Sequence, residues 1–142
     1  MRTIAGVGLV LFDPDGRILM FSTSKFKTSH SQTAGMLSVP IRTIEAGESD
    51  IEALVRLIVE DVGNETIQVP PDPCGVYTRK LSDAVTEKLS LFTGKCDISF
   101  DVFPGIPDRT FYGWMKPQAL INHELGQTWP EIESIIDSCF AH

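Results

Sequence analysis

The chain has 142 residues, 42% of them hydrophobic and 22% charged, which is enough for one domain over residues 1–142 and too little for two of ordinary size. Its formal net charge of -7 disfavours nonspecific binding to nucleic acid or to an anionic membrane. No apolar run approaches the roughly 18 residues of a membrane span, and the N-terminus has no signal-peptide pattern, so we expect a cytoplasmic protein with no membrane partner.

The first half of the chain predicts a β-hairpin followed by two short strands. Residues 3–12 are apolar and rich in β-branched side chains, and a Pro-Asp-Gly turn separates them from a second apolar run over 18–21. Residues 36–39 and 41–44 predict short strands that are interrupted at Pro40, because proline has no backbone N–H to donate to a ladder.

A helix is predicted over residues 50–62. Ser49 and Glu52 have the spacing of a capping box, and Gly63 provides a left-handed end. Apolar residues recur at intervals of three and four and predict one stripe packed on the sheet: Ile51, Leu54, Val55, Ile58 and Val62. Glu60 is expected opposite that stripe, on the exposed face.

The second half predicts three strands and two helices. The strands are expected over residues 74–81, 85–94 and 110–115. A short helix is predicted from residues 116–117, and residues 128–131 repeat the capping-box pattern before a last helix. The order of strands, helix, strands and helix favours an α/β fold in which helices pack on a mixed sheet.

Acidic residues are concentrated around the first predicted helix. Residues 45–65 contain seven acidic groups and one basic group. Glu60 and Asp61 are adjacent, and a pair of carboxylates suits a hard divalent cation, which prefers oxygen ligands. Arg56 is able to pair with Glu60 or to reach back to Glu48. The alternative is a solvated helix face whose acids are favoured by helix propensity and the macrodipole.

The spacing of these residues resembles the Nudix box, G-x5-E-x7-R-E-U-x-E-E-x-G-U, in which U is apolar. Residues 42–64, the box segment, have the sequence R-x5-E-x7-R-L-I-x-E-D-x-G-N. The matching residues are Glu48, Arg56, Ile58, Glu60 and Gly63, and Asp61 replaces a glutamate with another carboxylate. The resemblance extends over about residues 3–122. It implies an α/β fold of the Nudix type, an α/β/α sandwich with a mixed central sheet.

The resemblance also implies a function and a set of site residues. Nudix hydrolases cleave a nucleoside diphosphate linked to another group, with Mg²⁺ or Mn²⁺ held by the box carboxylates. Glu60 and Asp61 fall on metal-ligand positions, and the backbone carbonyl of Arg42 is the remaining candidate ligand. Glu48 and Arg56 fall on the pair that orients the loop against the helix, so with Glu60 they form the expected catalytic set. The implied partner is a small nucleoside diphosphate derivative, and homodimers are common in the family.

Several residues depart from the box. Leu57 stands where the family has a glutamate that binds the metal and often acts as general base, and a missing base typically costs about 10²- to 10⁴-fold in rate. Ile41 and Arg42 replace two glycines that allow close backbone approach, and Asn64 replaces an apolar residue. The candidate replacement bases stay unranked: Asp101, Asp108, His123 and His30.

Two functions stay open at the level of sequence. The first is a divergent Nudix hydrolase that cleaves a pyrophosphate bond, depends on a metal and has low activity. The second is a catalytically impaired Nudix-fold domain that binds a nucleotide or a protein partner, as the departures at positions 41, 42 and 57 indicate. A purely structural role is the remaining alternative. Substrate choice in the family depends on loops, here residues 22–35 and 97–109, and neither contains a motif that names a substrate.

Overall fold

The order of strands and helices agrees with the sequence prediction. The computed structural model describes residues 2–23, 37–64, 66–80, 83–105 and 109–121. The strands are β1 (Arg2–Phe12), β2 (Ile18–Thr23), β3 (Leu37–Ser38), β4 (Ile41–Thr43), β5 (Gly75–Lys80), β6 (Val85–Lys95) and β7 (Arg109–Met115). The helices are α1 (Asp50–Leu57), a π-helical segment (Ile58–Val62) that continues it, and α2 (Pro117–Ile121). None of these helices is long and apolar enough to cross a membrane. The helix predicted from residue 128 lies outside the described residues.

β1 lies at the centre of a mixed sheet. It pairs in parallel with β6 along its whole length and in antiparallel orientation with β2 and β4. β5 extends the sheet beyond β6, whereas β3 and β7 both pair with β2. Residues 6–11 of β1 are all buried, which explains their continuous apolar character, because a strand covered on both faces has no solvent side. The prediction of an α/β fold with a mixed sheet is therefore confirmed.

The two faces of β1 contribute to different parts of the core, because successive side chains of a strand point to opposite faces. Val7, Leu9 and Leu11 pack in the core that includes α1. Val10 faces the other core, together with residues of β2 and β6. Gly8 points to that second face, where an added Cβ would lie 2.8 Å from Cδ2 of Leu91. The glycine therefore allows β1 and β6 to pack closely there.

The helix is rotated relative to the prediction. Leu54 and Leu57 are buried as part of the core under the sheet. Val55 is 53% exposed and Ile51 is also exposed, so the expected stripe was wrong at these two positions. The buried face includes Asp61, which lies four residues after Leu57 and shares its side of the helix. A search for apolar residues alone misplaces the face because one of its members is a carboxylate.

The ends of the helix have the predicted caps, but its last turn is wider than an α-helix. Ser49 Oγ accepts a hydrogen bond from the N–H of Glu52, and the Glu52 carboxylate accepts one from the N–H of Ser49. Gly63 ends the helix at φ 75°, and its N–H donates to the carbonyl of Ile58, five residues earlier, at 2.8 Å. The predicted continuous α-helix to residue 62 is thus replaced by a π-helical segment, a feature often found at functional sites.

The orientation of α1 predicts unequal effects of two truncations. Leu57→Ala is expected to lower the free energy of unfolding by about 2–5 kcal/mol, because it removes a fully buried side chain. Val55→Ala, the matched control two residues earlier, is expected to change it by no more than about 0.5 kcal/mol. Urea denaturation of both variants measures the difference, and equal losses would contradict this orientation.

Candidate functional site

The box segment begins with an ion pair between the helix and its entry turn. Arg56 Nε donates to Glu48 Oε2 and Arg56 Nη2 donates to Glu48 Oε1, each at 3.0 Å. Arg56 Nη2 also donates to the carbonyl of Thr43 at 2.8 Å, and Glu48 Oε1 accepts the N–H of Glu45 at 3.0 Å. Of the two partners considered from the sequence, Arg56 therefore reaches back to Glu48. The contact ties α1 to β4, as expected of an orienting pair.

Arg42 enters the site from the neighbouring strand. In the ladder of β1 and β4 it stands opposite Val7, whose side chain faces the core under α1. Alternation along the strand therefore brings the guanidinium to the helix side of the sheet. Its Nε donates to Asp61 Oδ2 at 2.6 Å and its Nη2 donates to Asp61 Oδ1 at 2.7 Å, a bidentate fork. Nη2 also lies 3.7 Å from Glu60 Oε1.

The Asp61 carboxylate is buried and its charge is compensated. The residue is 1% exposed, and besides the two donors of Arg42 it accepts the backbone N–H of Gly105 at 3.0 Å on Oδ1. A buried charge is tolerated only when it is paired and hydrogen-bonded, and both conditions are met here. The hydrogen bonds that Arg42 donates to Asp61 raise the pKa of Arg42 above its ordinary value, despite the opposing effect of burial. We call Glu60 and Asp61 the acidic pair. Arg42 is therefore a permanent cation beside this pair.

Gly105 completes this arrangement and was not predicted as a site residue. An added Cβ at this position would lie 2.9 Å from the backbone oxygen of Glu60, so the segment approaches the helix too closely for a side chain. The start of the same segment is held by Trp114, whose Nε1 donates to the carbonyl of Phe100 at 2.9 Å. In the sequence, only the Pro104-Gly105 turn marks this segment, and a turn does not indicate which carboxylate its N–H will contact.

The two predicted metal ligands Glu60 and Asp61 are adjacent, and the Arg42 guanidinium lies against both of them. Both carboxylate oxygens of Asp61 accept N–H groups of Arg42, and a divalent ion about 4 Å from the guanidinium would be repelled by on the order of 8 kcal/mol at an effective dielectric of 20. Within the part of the chain that the structure describes, no group of three or more His, Cys, Asp or Glu side chains could hold a metal ion. With Arg42 on both oxygens of Asp61, the residues of this site that the structure describes therefore do not fit Mg²⁺ or Mn²⁺.

Two departures from the box, at positions 57 and 42, explain why the site does not suit a divalent metal. Leu57, which occupies the position of a missing carboxylate, was expected on the acidic face but is fully buried in the core. The Arg42 backbone carbonyl, the remaining predicted ligand, is part of the sheet and lies 3.2 Å from the position of an added Cβ on Gly6. Arg42 thus contributes a cationic side chain to the site in place of the predicted carbonyl ligand.

A groove is lined on one side by the segment that leads to Gly105, the residue whose N–H contacts Asp61. Its volume is about 480 Å³, and its lining includes Phe103, Arg109 and Phe111. Phe103 is 85% exposed. Asp101, one of the candidate bases, also lines this groove. The other candidate bases lie outside the described residues: Asp108, His123 and His30.

Comparison with solved structures identifies the fold. The MutT protein from Methanosarcina mazei Go1 matches with a TM-score of 0.74 and 17% identity over 99% of this chain and 95% of that one. An Ap4A hydrolase complex from C. elegans matches with a TM-score of 0.72 and 15% identity over 97% and 96%. The E. coli dihydroneopterin triphosphate pyrophosphohydrolase matches with a TM-score of 0.70 and 14% identity over the whole of both chains.

The chain therefore has the Nudix fold, the α/β/α sandwich with a mixed sheet that the box segment implied. Similar structures from Nitrosomonas europaea and Clostridium perfringens are described as Nudix hydrolases. No protein-family model matches the sequence. No curated protein matches it either. The likeness is thus one of fold, and the chemistry of this chain depends on its own residues.

The orienting pair predicts a pH dependence of stability. Hydrogen bonds from Arg56 hold the pKa of Glu48 below its ordinary value of 4.5. A lowered carboxyl pKa stabilises the fold above that ordinary value, and this stabilisation is lost as the pH falls through the lowered pKa. The stability that Glu48→Gln loses relative to the parent protein is therefore expected to be greater at pH 7 than at pH 3. Urea denaturation at the two pH values measures this, and an equal difference at both would contradict the ion pair.

Proposed function

We propose that this chain is a catalytically impaired Nudix-fold domain, spanning residues 1–142, which binds a nucleoside diphosphate derivative without efficient hydrolysis. The observation that carries the proposal is the position of Arg42, whose guanidinium occupies the acidic pair on which the predicted metal chemistry depends. The burial of Leu57 adds to it, because that position supplies neither a ligand nor a base.

The ligand class is supported by the fold and by the groove. Two of the similar structures are named for small phosphorylated substrates, Ap4A and dihydroneopterin triphosphate. The groove offers the exposed ring of Phe103 as a flat apolar surface for a base, and the cationic Arg109 also contributes to its lining. We infer a small-molecule partner in the cytoplasm rather than a nucleic acid, given the net charge of -7. A homodimer stays a prediction from the family resemblance.

A second candidate is the divergent hydrolase of low activity. Glu60 favours it, because its side chain is 47% exposed and its Oε1 lies 3.7 Å from Arg42 Nη2, beyond hydrogen-bond distance. The intact contact between Glu48 and Arg56 favours it as well. With Leu57 in place of a glutamate, such an enzyme would be slowed by about 10²- to 10⁴-fold through the missing base alone.

Ligand binding is tested by thermal unfolding with a panel of nucleoside diphosphate derivatives. A ligand that binds the folded state is expected to raise the Tm by several degrees at concentrations well above its Kd. Phe103→Ala is expected to abolish this rise, because it removes the exposed ring of the groove. Ile98→Ala, a matched control at an exposed apolar residue outside the described groove lining, should preserve it. No rise with any compound, or equal rises in both variants, would contradict binding in this groove.

Hydrolysis of the same compounds separates the two candidates. The binding domain is expected to release no product above the uncatalysed rate, with or without Mg²⁺ or Mn²⁺. Steady release of phosphate or a monophosphate, abolished by Glu60→Gln, would instead favour the hydrolase of low activity. Binding without turnover supports the binding domain. Turnover that does not depend on Glu60 would contradict both the binding domain and the hydrolase that uses the acidic pair.

A further inference from the structure

We infer that the Arg42 side chain takes the place of a divalent metal ion, so that the negative charge of the acidic pair is compensated without any metal. The inference concerns the charge balance of the box segment and goes beyond the proposed function, because it holds whether or not the groove binds a nucleotide. It assigns to Arg42 a role that the box pattern, which has a glycine there, does not contain.

The geometry around Asp61 is that of a satisfied structural carboxylate. Its Oδ1 accepts two N–H groups, from Arg42 and Gly105, and its Oδ2 accepts one at 2.6 Å. The same chain treats a second buried carboxylate alike: Asp13 accepts Arg17 Nε at 2.8 Å and the backbone N–H groups of Asp15 and Arg17. At both sites a buried aspartate accepts hydrogen bonds from an arginine side chain and from backbone N–H groups. These donors surround the carboxylate and leave little room for a metal cation.

The two departures at positions 42 and 57 compensate each other in charge. A box with carboxylates at positions 57, 60 and 61 carries three negative charges, and a divalent ion reduces the total to one. In this chain Leu57 removes one carboxylate, and Arg42 adds one positive charge, so the total is again one negative charge. Loss of the ligand and gain of the guanidinium therefore keep the same net charge at the end of the helix.

Removal of the Arg42 guanidinium should make the acidic pair dependent on a metal ion for its charge balance. Asp61 would stay buried next to Glu60 without the cation that now pairs with it, and its other donor among the described residues is the uncharged N–H of Gly105. Breaking a buried pair by removing one partner is strongly destabilising. A divalent cation could then neutralise both carboxylates, so a variant without Arg42 should gain a stability that depends on metal, which the parent protein lacks.

The test measures Tm by circular dichroism at constant ionic strength, without nucleotide, with and without about 5 mM MnCl₂. The parent protein is expected to show no change in Tm with Mn²⁺. Arg42→Ala is expected to unfold about 10 °C lower without metal, and Mn²⁺ should raise its Tm by about 3 °C or more. Arg42→Ala/Asp61→Asn is the matched control: it should be more stable than Arg42→Ala without metal and should lose the response to Mn²⁺.

Direct measurement of Mn²⁺ binding to the parent protein gives a second test that does not require Arg42→Ala to fold. Mn²⁺ titration of the parent protein, followed by electron paramagnetic resonance, is expected to show no bound ion that Glu60→Gln removes. One tightly bound Mn²⁺ that is lost in Glu60→Gln would overturn the inference, and so would an Arg42→Ala variant as stable as the parent. Neither readout involves nucleotide, so failure here leaves the proposed ligand binding to be decided by its own experiment.

Discussion

The fork between Arg42 and Asp61 connects three parts of the molecule that are far apart in the chain. Arg42 belongs to β4, which pairs with the central strand β1, Asp61 belongs to the π-helical segment, and Gly105 belongs to the segment that lines the groove. A buried ion pair adds little stability compared with apolar packing, but breaking one is expensive. These contacts hold β4, the end of the helix and the groove segment together. A substitution at Arg42 is therefore expected to disturb the packing of all three.

This arrangement changes what the Nudix fold is able to do. The pair of Glu48 and Arg56 still fastens the helix to its entry turn, so the scaffold of the box segment is intact. The acidic pair on that scaffold faces a guanidinium that holds one of its members on both oxygens. A guanidinium is a single fixed charge with no exchangeable ligand positions, whereas a metal ion can activate a bound water. This combination of a retained scaffold and an altered charge is the basis for proposing binding in place of efficient hydrolysis.

The sequence predicted the local features and missed the contacts between distant residues. The strands, the capping box at Ser49 and the end at Gly63 follow from neighbouring residues, and all three are present. The helix face was misplaced because its buried side includes Asp61, which no apolar pattern selects. The fork joins residues 19 positions apart, and the Gly105 contact joins residues 44 apart. Only the pairing of β4 with β1 and the packing of the helix bring these groups together.

We infer that the guanidinium of Arg42 takes the position of a metal at the acidic pair. The most direct measurement is a crystal structure of the parent protein soaked in MnCl₂, with anomalous diffraction used to locate manganese. We expect electron density for Arg42 on both oxygens of Asp61 and no anomalous peak within bonding distance of Glu60 or Asp61. A manganese peak between those two carboxylates, with the Arg42 side chain displaced, would contradict it.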